Sequence, residues 1–182
     1  MDLSHPVLWT VPELFTLAEC AAFIARIEAA APSLAPVTTR RGPQMRPDIR
    51  NNDRAVFDDP EVSALLLARI RGHAPEEMLG ARLCGANERI RCYRYGPGQR
   101  FAPHYDGAFV RDEHEQSLIS FLVYLNEGFV GGETHFLHLG RTIVPRAGMA
   151  LLFQHRVLHE GAEVREGTKY VLRSDLMYRT DA

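Results

Sequence analysis

Hydrophobic positions fall into two regimes along this chain. Cys20, Phe23, Ile24 and Ile27 recur at three- and four-residue spacing, which predicts a helix with one apolar face. Ahead of them, Thr16 and Glu19 have the spacing of a capping box, with Phe15 as a candidate staple, and Pro32 ends the run. A second helix starts at Asp59-Pro60, an N-cap followed by proline at the first helical position. It continues through Leu65, Leu66, Ala68 and Ile70 and closes at Gly72. From residue 88 the period becomes two. Strands are predicted over 88–95, 117–125, 133–138, 141–145, 149–154 and 169–178, separated by Gly96-Pro97-Gly98, Gly131-Gly132, Gly140 and Arg146-Ala147-Gly148. Many short strands after two helices imply an α+β chain that is mainly β. The expected core is a double-stranded β-helix, a jelly roll of the cupin-like kind, with the N-terminal helices packed outside.

Composition changes this picture little. A chain of 182 residues fits one domain, read here as a helical support and substrate-side loop over 1–87 and a jelly roll over 88–178. A net charge of −2 does not announce nucleic acid or an anionic membrane as partner. No apolar run approaches the roughly 18 residues of a membrane span, and the first residues lack a basic end and apolar stretch, so a cytoplasmic location is expected. Cys20, Cys84 and Cys92 form no CxxC pair, which argues against a disulfide framework or structural zinc; Cys20 and Cys92 read as small core residues.

The candidate chemistry begins at His104-Tyr105-Asp106. In extended backbone, residues i and i+2 point to one side, so an imidazole and a carboxylate share a face. His159 arrives later, on another strand. Two histidines and one carboxylate can occupy one face of an octahedral metal and leave the other face open, the arrangement of non-haem iron(II) oxygenases. By itself an HxD pair is a weak signal in a chain with eight histidines.

Its surroundings make it specific. Arg94 to Gly107 (RYGPGQRFAPHYDG) closely resembles the motif in which prolyl 4-hydroxylase domains carry their HxD. Ser117 to Asn126, ending in Val123-Tyr124-Leu125-Asn126, is similar to that family's tyrosine-bearing strand. Gly131-Gly132-Glu133-Thr134 resembles its Gly-Gly-Glu turn, and Pro145 to Phe153 resembles the strand leading to the distal histidine. His159-Glu160-Gly161 and Gly167-Thr168-Lys169-Tyr170 complete the order. The resemblance covers residues 88–178 in detail and the first half in outline.

That resemblance implies an iron(II)- and 2-oxoglutarate-dependent dioxygenase. His104, Asp106 and His159 would be the catalytic iron ligands, and Lys169 would bind the distal carboxylate of 2-oxoglutarate with help from Tyr124 and Tyr95. Dioxygen and 2-oxoglutarate are the implied partners, ascorbate a possible further cofactor. The substrate would be a peptidyl prolyl residue or a small amino-acid-like molecule. By strand parity, an inward Lys169 places Val171, Arg173 and Asp175 inward too, and an inward Tyr95 does the same for Tyr93 and Arg91. Arg173 departs from the family pattern; it would either share the cosubstrate carboxylate or pair with Asp175 toward the substrate. Arg91, Tyr93 and Asp175 are candidate substrate residues, suggesting a polar pocket for a zwitterion.

Other readings are bland or weaker. Residues 38–52 carry Arg40, Arg41, Arg46 and Arg50 and read as a solvated loop or as a flap that meets the substrate. His155 and His159 have i,i+4 spacing, but no HExxH is present and a strand precedes them. His5, His73, His114, His135 and His138 read as structural or solvated. A cupin-like binding module without chemistry, a nucleic-acid dealkylating oxygenase and a peptide-binding protein are the alternatives to hydroxylation.

Overall fold

The computed structural model describes residues 1–39 and 41–180; Arg40, in the arginine-rich segment, lies outside them. Two sheets face each other. The larger runs in the order Leu8–Val11, Ala150–Gln154, Glu115–Tyr124, Lys169–Arg179, Arg89–Tyr95, Asp53–Asp58 and Ser33–Leu34, with Ala81–Ala86 and Glu77–Met78 paired off the same path. The smaller is Arg141–Ile143, Thr134–Phe136, His159–Gly161 and Phe101–His104. All named pairings are antiparallel, the pattern of a jelly roll.

The helices form where the pattern puts them. Leu17–Ala29 is capped by Thr16, whose hydroxyl accepts from the Glu19 amide at 3.3 Å while the Glu19 carboxylate accepts from the Thr16 amide at 2.8 Å. Pro60–Ile70 is capped by Asp59, which accepts from the Val62 amide at 3.0 Å. Both bury an apolar stripe, Cys20 and Ile27 on one and Leu66 and Ile70 on the other, against the outer face of the large sheet.

Strand alternation then sorts side chains between two cores. Ile90, Cys92, Phe121, Val123, Leu152 and Leu172 join the helices. Tyr93, Tyr95, Tyr124, Leu151, Phe153 and Val171 point the other way, into the space between the sheets. Central strands are thus covered on both faces, which is why Ala150-Leu151-Leu152-Phe153 reads as an unbroken apolar run. Leu172 is 1% exposed, and truncating it to alanine should cost about 2–5 kcal/mol.

The first half is not only helical. Leu8–Val11, Asp53–Asp58 and Ala81–Ala86 are strands of the large sheet, and Val37–Thr39 pairs with Gly42–Gln44 as a hairpin. Asp53–Asp58 shows no apolar alternation because Arg54, paired opposite Tyr93, takes an inward position. The predicted 133–138 strand stops at Phe136 and turns through Leu137–Leu139 into Gly140, at φ 57°. Among the described residues no helix is long and apolar enough to cross a membrane.

Candidate active site

The smaller sheet brings the two histidines together. His159 pairs directly opposite His104 between antiparallel strands, so both rings leave the sheet on the same side, with centroids 4.3 Å apart. Each ring is oriented from behind. The Nδ1 of His104 lies 2.9 Å from the Ala102 carbonyl oxygen, and that of His159 lies 3.0 Å from the Val157 carbonyl. A carbonyl can only accept, so Nδ1 carries the proton and Nε2 presents its lone pair. Both Nε2 atoms stand 3.7 Å from oxygens of Asp106, just past the end of the His104 strand. One ligand atom from each of the three residues lies within 4.8 Å of the others.

Burial keeps these rings neutral. It pushes His104 down to about 3, and His159 is lowered for the same reason. Burial, the largest single influence, would raise the Asp106 carboxyl, but Arg173, the two histidines and the Ser120 hydroxyl together outweigh it and hold the group ionised, well below the carboxylate range. Two neutral imidazoles and a carboxylate, with converging and otherwise unengaged Nε2 lone pairs, fit a divalent cation in chemistry and in position.

Asp106 is fixed on both oxygens. Arg173 Nη1 stands 3.1 Å from Oδ1, and the Ser120 hydroxyl donates to Oδ2 at 2.6 Å. Ser120 in turn lies 3.1 Å from Nδ1 of His155, whose Nε2 is 2.7 Å from the Ser117 hydroxyl. The Phe109 amide donates to Ser117 at 2.8 Å. Because the carboxylate accepts, the whole chain must run one way: Phe109 N–H, Ser117, His155, Ser120, Asp106. His155, its pKa lowered by burial, is therefore neutral and protonated on Nδ1.

On the far side of the triad, Lys169 is 3% exposed and pairs across the strands with Tyr95. Its Nζ donates to the Gly132 carbonyl at 2.6 Å and sits 5.1 Å from the Tyr95 ring centroid and 5.4 Å from that of Tyr124. No carboxylate pairs with it among the described residues. Burial pushes its ammonium down to about 7, partly offset by Glu133. The Tyr124 hydroxyl lies 2.6 Å from that of Thr134. A narrow cavity of about 40 Å³ connects Lys169, Thr134 and Leu122 to the triad. A buried ammonium without a counter-ion, at the end of a channel to three metal-type donors, suits the distal carboxylate of a diacid.

Arg173 lines the same narrow cavity as Lys169, but beside Asp106. It bridges Asp106 and Asp175, the latter at 3.1 Å, while Arg91 meets the other oxygen of Asp175 at 2.9 Å. Asp175 is thereby consumed beneath the site and does not reach a cavity, so the expected zwitterion pocket loses its acidic half. Arg91 and Tyr93 do line a second cavity of about 350 Å³ on the opposite side of the triad. Sequence reasoning passed over Ser120 and Arg54, discounted His155 as a metal ligand, and read Arg50 only as part of a solvated loop or a flap that meets the substrate. Ser120 was within reach of parity, four residues before Tyr124 on one strand. The arginines carried no such signal, because a loop and an irregular strand bring them in.

Comparison with known proteins agrees. Residues 90–174 match the 2OG-Fe(II) oxygenase superfamily. Over 103 residues the chain is 28% identical to a protein of Acanthamoeba polyphaga mimivirus named "Putative prolyl 4-hydroxylase", covering 46% of this chain and 42% of that protein. The fold is that of the viral collagen prolyl hydroxylase of Paramecium bursaria Chlorella virus-1 in its 2OG complex, with TM-score 0.71, 22% identity, and coverage of 97% of this chain and 98% of that one. A Pseudomonas putida prolyl-4-hydroxylase gives TM-score 0.68 at 22% identity, covering 99% and 96%. A Trichoplax adhaerens prolyl hydroxylase bound to a hypoxia-inducible-factor peptide fragment gives 0.69 at 15%, covering 96% and 84%. Sequence match, fold and the ordered motifs point the same way: residues 90–174 match the 2OG-Fe(II) oxygenase superfamily, and the relatives and structural neighbours named here are prolyl hydroxylases.

Proposed function

We propose that the protein is an iron(II)- and 2-oxoglutarate-dependent dioxygenase that hydroxylates a C–H bond of a peptidyl prolyl or small amino-acid-like substrate. The observation that carries this is the alignment of the His104–Asp106–His159 triad with an uncompensated buried Lys169 across one narrow cavity. A binding module needs no such cation. The peptide held by the Trichoplax structure supports a peptidyl substrate.

His104, His159 and Asp106 would hold the iron, and Lys169 with Tyr124 and Thr134 would hold 2-oxoglutarate. When bound, these groups supply, with dioxygen, the oxidation of C–H to C–OH, with succinate and carbon dioxide as coproducts. The protein's own residues orient and insulate. Backbone carbonyls behind each histidine set its donor atom, Ser120 and Arg173 fix the carboxylate, and Phe101, stacked on His104 with centroids 3.5 Å apart, shields that ring from water. Ascorbate as the reductant and a cytoplasmic location belong to the same proposal.

Anaerobic addition of iron(II) and then 2-oxoglutarate tests it. A weak visible charge-transfer band that needs both, and is lost in His104→Ala, is the expected result. Tight metal binding with no such band would make the protein a cupin-like binding module instead.

A further inference from the structure

The 350 Å³ cavity beside the triad is lined by four arginines, Arg50, Arg54, Arg91 and Arg173, and Asp106 is the only acidic residue in its wall among the described residues. Asp175, beneath it, answers Arg91 and Arg173. Two guanidinium charges are thus left over. Iron(II) and doubly charged 2-oxoglutarate would cancel each other and leave that excess in place.

Arg50 and Arg54 are where it resides. Arg50 is 5% exposed, and its guanidinium lies 4.5 Å from the Tyr93 ring centroid and 4.4 Å from that of Phe101. Asn52 accepts from its Nε at 2.7 Å, but Nη2 is buried and has no hydrogen-bond partner. The two aromatic faces and one amide hold the fork rigid without neutralising it. Arg54 makes no ion pair or side-chain hydrogen bond among the described residues. Burial, together with Arg50, Arg91 and Arg89, lowers its pKa, so these cations face one another and not an acid. Tyr93 reports the same field: burial would raise its phenol, yet Arg173, Arg50 and Arg91 bring it below the ordinary value. A desolvated guanidinium with a free donor is costly unless a ligand completes it.

We propose that this cavity recognises the substrate through an oxyanion, a carboxylate or a phosphate, clasped by Arg50 and Arg54 and presented beside the triad. The proposal rests on the oxygenase reading and narrows its substrate to an acidic small molecule or an acidic side chain. Thr38, from the hairpin over the cavity, adds a neutral wall and no competing acid.

The test titrates methylphosphonate, acetate and uncharged acetamide, at constant chloride, into anaerobic protein saturated with iron(II) and 2-oxoglutarate. Calorimetry reads binding, and the visible band reads the metal. At least one anion should bind in the wild type with the band intact, acetamide should not, and Arg54→Gln and Arg50→Gln should each weaken the anion tenfold or more. Tighter methylphosphonate indicates a phosphate-bearing substrate, and tighter acetate a carboxylate. Loss of the band on anion binding, acetamide binding as well as acetate, no anion binding, or unchanged affinity in Arg54→Gln would each overturn the proposal. Should a variant fail to fold, the acetate–acetamide comparison in the wild type decides. If iron(II) and 2-oxoglutarate give no band at all, the oxygenase reading falls. The same titration into metal-free protein then judges the arginine site alone.

Discussion

Arg173 stands 3.1 Å from the Asp106 carboxylate, in a position where a bound divalent cation would compete with it. Without metal, the guanidinium is the main charge that neutralises this buried ligand; with metal, Asp106 has a second cation. Arg173→Met should therefore harm the metal-free protein most, by about 3–5 kcal/mol, the usual cost of orphaning one member of a buried pair. Iron(II) should then raise the unfolding temperature of the variant by more than it raises that of the wild type. A smaller rise would mean that Arg173 serves to aim Asp106 and not to neutralise it.

Ser120 is the donor that orients the other oxygen of Asp106. Ser120→Ala should lower iron affinity by about 10–100-fold, as loss of ligand-orienting partners generally does. Ser117→Ala, two steps further along the chain, should have a smaller effect on iron and mainly cost stability, by about 1–3 kcal/mol, because Nε2 of His155 loses its donor. Equal effects of the two substitutions on iron would show that the chain acts as one unit.

Lys169 gives the site a pH dependence. Burial brings its pKa from 10.5 in the unfolded chain to about 7, with Glu133 opposing part of the shift. Between those values the unfolded chain binds the extra proton, so this group makes the metal-free protein more stable as pH rises through that window. A carboxylate on Nζ favours the ammonium instead. Binding of 2-oxoglutarate should then take up a proton, and its affinity should fall by up to about tenfold per pH unit above pH 7. Anaerobic titrations from pH 6.5 to 9 would measure it; a flat profile, or one that survives in Lys169→Met, would remove Lys169 as the anchor.

Gly132 explains its motif sterically. At φ +70°, a Cβ there would lie 3.0 Å from Phe129 and Val164 carbons and 3.2 Å from Cδ of Lys169. Gly132→Ala should displace the lysine and weaken 2-oxoglutarate several-fold while leaving iron affinity near the wild-type value. A loss confined to iron would place the strain elsewhere.

Much of this site was legible because antiparallel strands obey parity. His104 with Asp106 follows from the i, i+2 reach of extended backbone; the motif resemblance supplied Lys169, Tyr95 and Tyr124, and alternation from them placed Arg173, Asp175, Tyr93 and Arg91 inward. Both helices were legible from Thr16, Glu19, Asp59 and Pro60, where capping chemistry is local. Asp53–Asp58 escaped because Arg54 occupies an inward position that an apolar residue would normally mark. Arg50 escaped because nothing near it in sequence predicts Tyr93 and Phe101 on its two faces. Asp175 was placed inward correctly, but parity is silent on who reaches it first, and Arg91 and Arg173 do.

The strand Lys169–Arg179 lies in the middle of the large sheet, between Glu115–Tyr124 and Arg89–Tyr95, although both neighbours come much earlier in the chain. Such non-local pairing makes for slow folding, since long loops must close before any contact rewards them. Until that strand is inserted, the sheet has a gap where Lys169, Arg173 and Asp175 belong. A partly folded chain could gather His104 and His159 on the small sheet but would lack the cation that steadies Asp106. Refolding with and without iron(II) should therefore proceed at nearly the same rate, with the metal acting only by retarding unfolding.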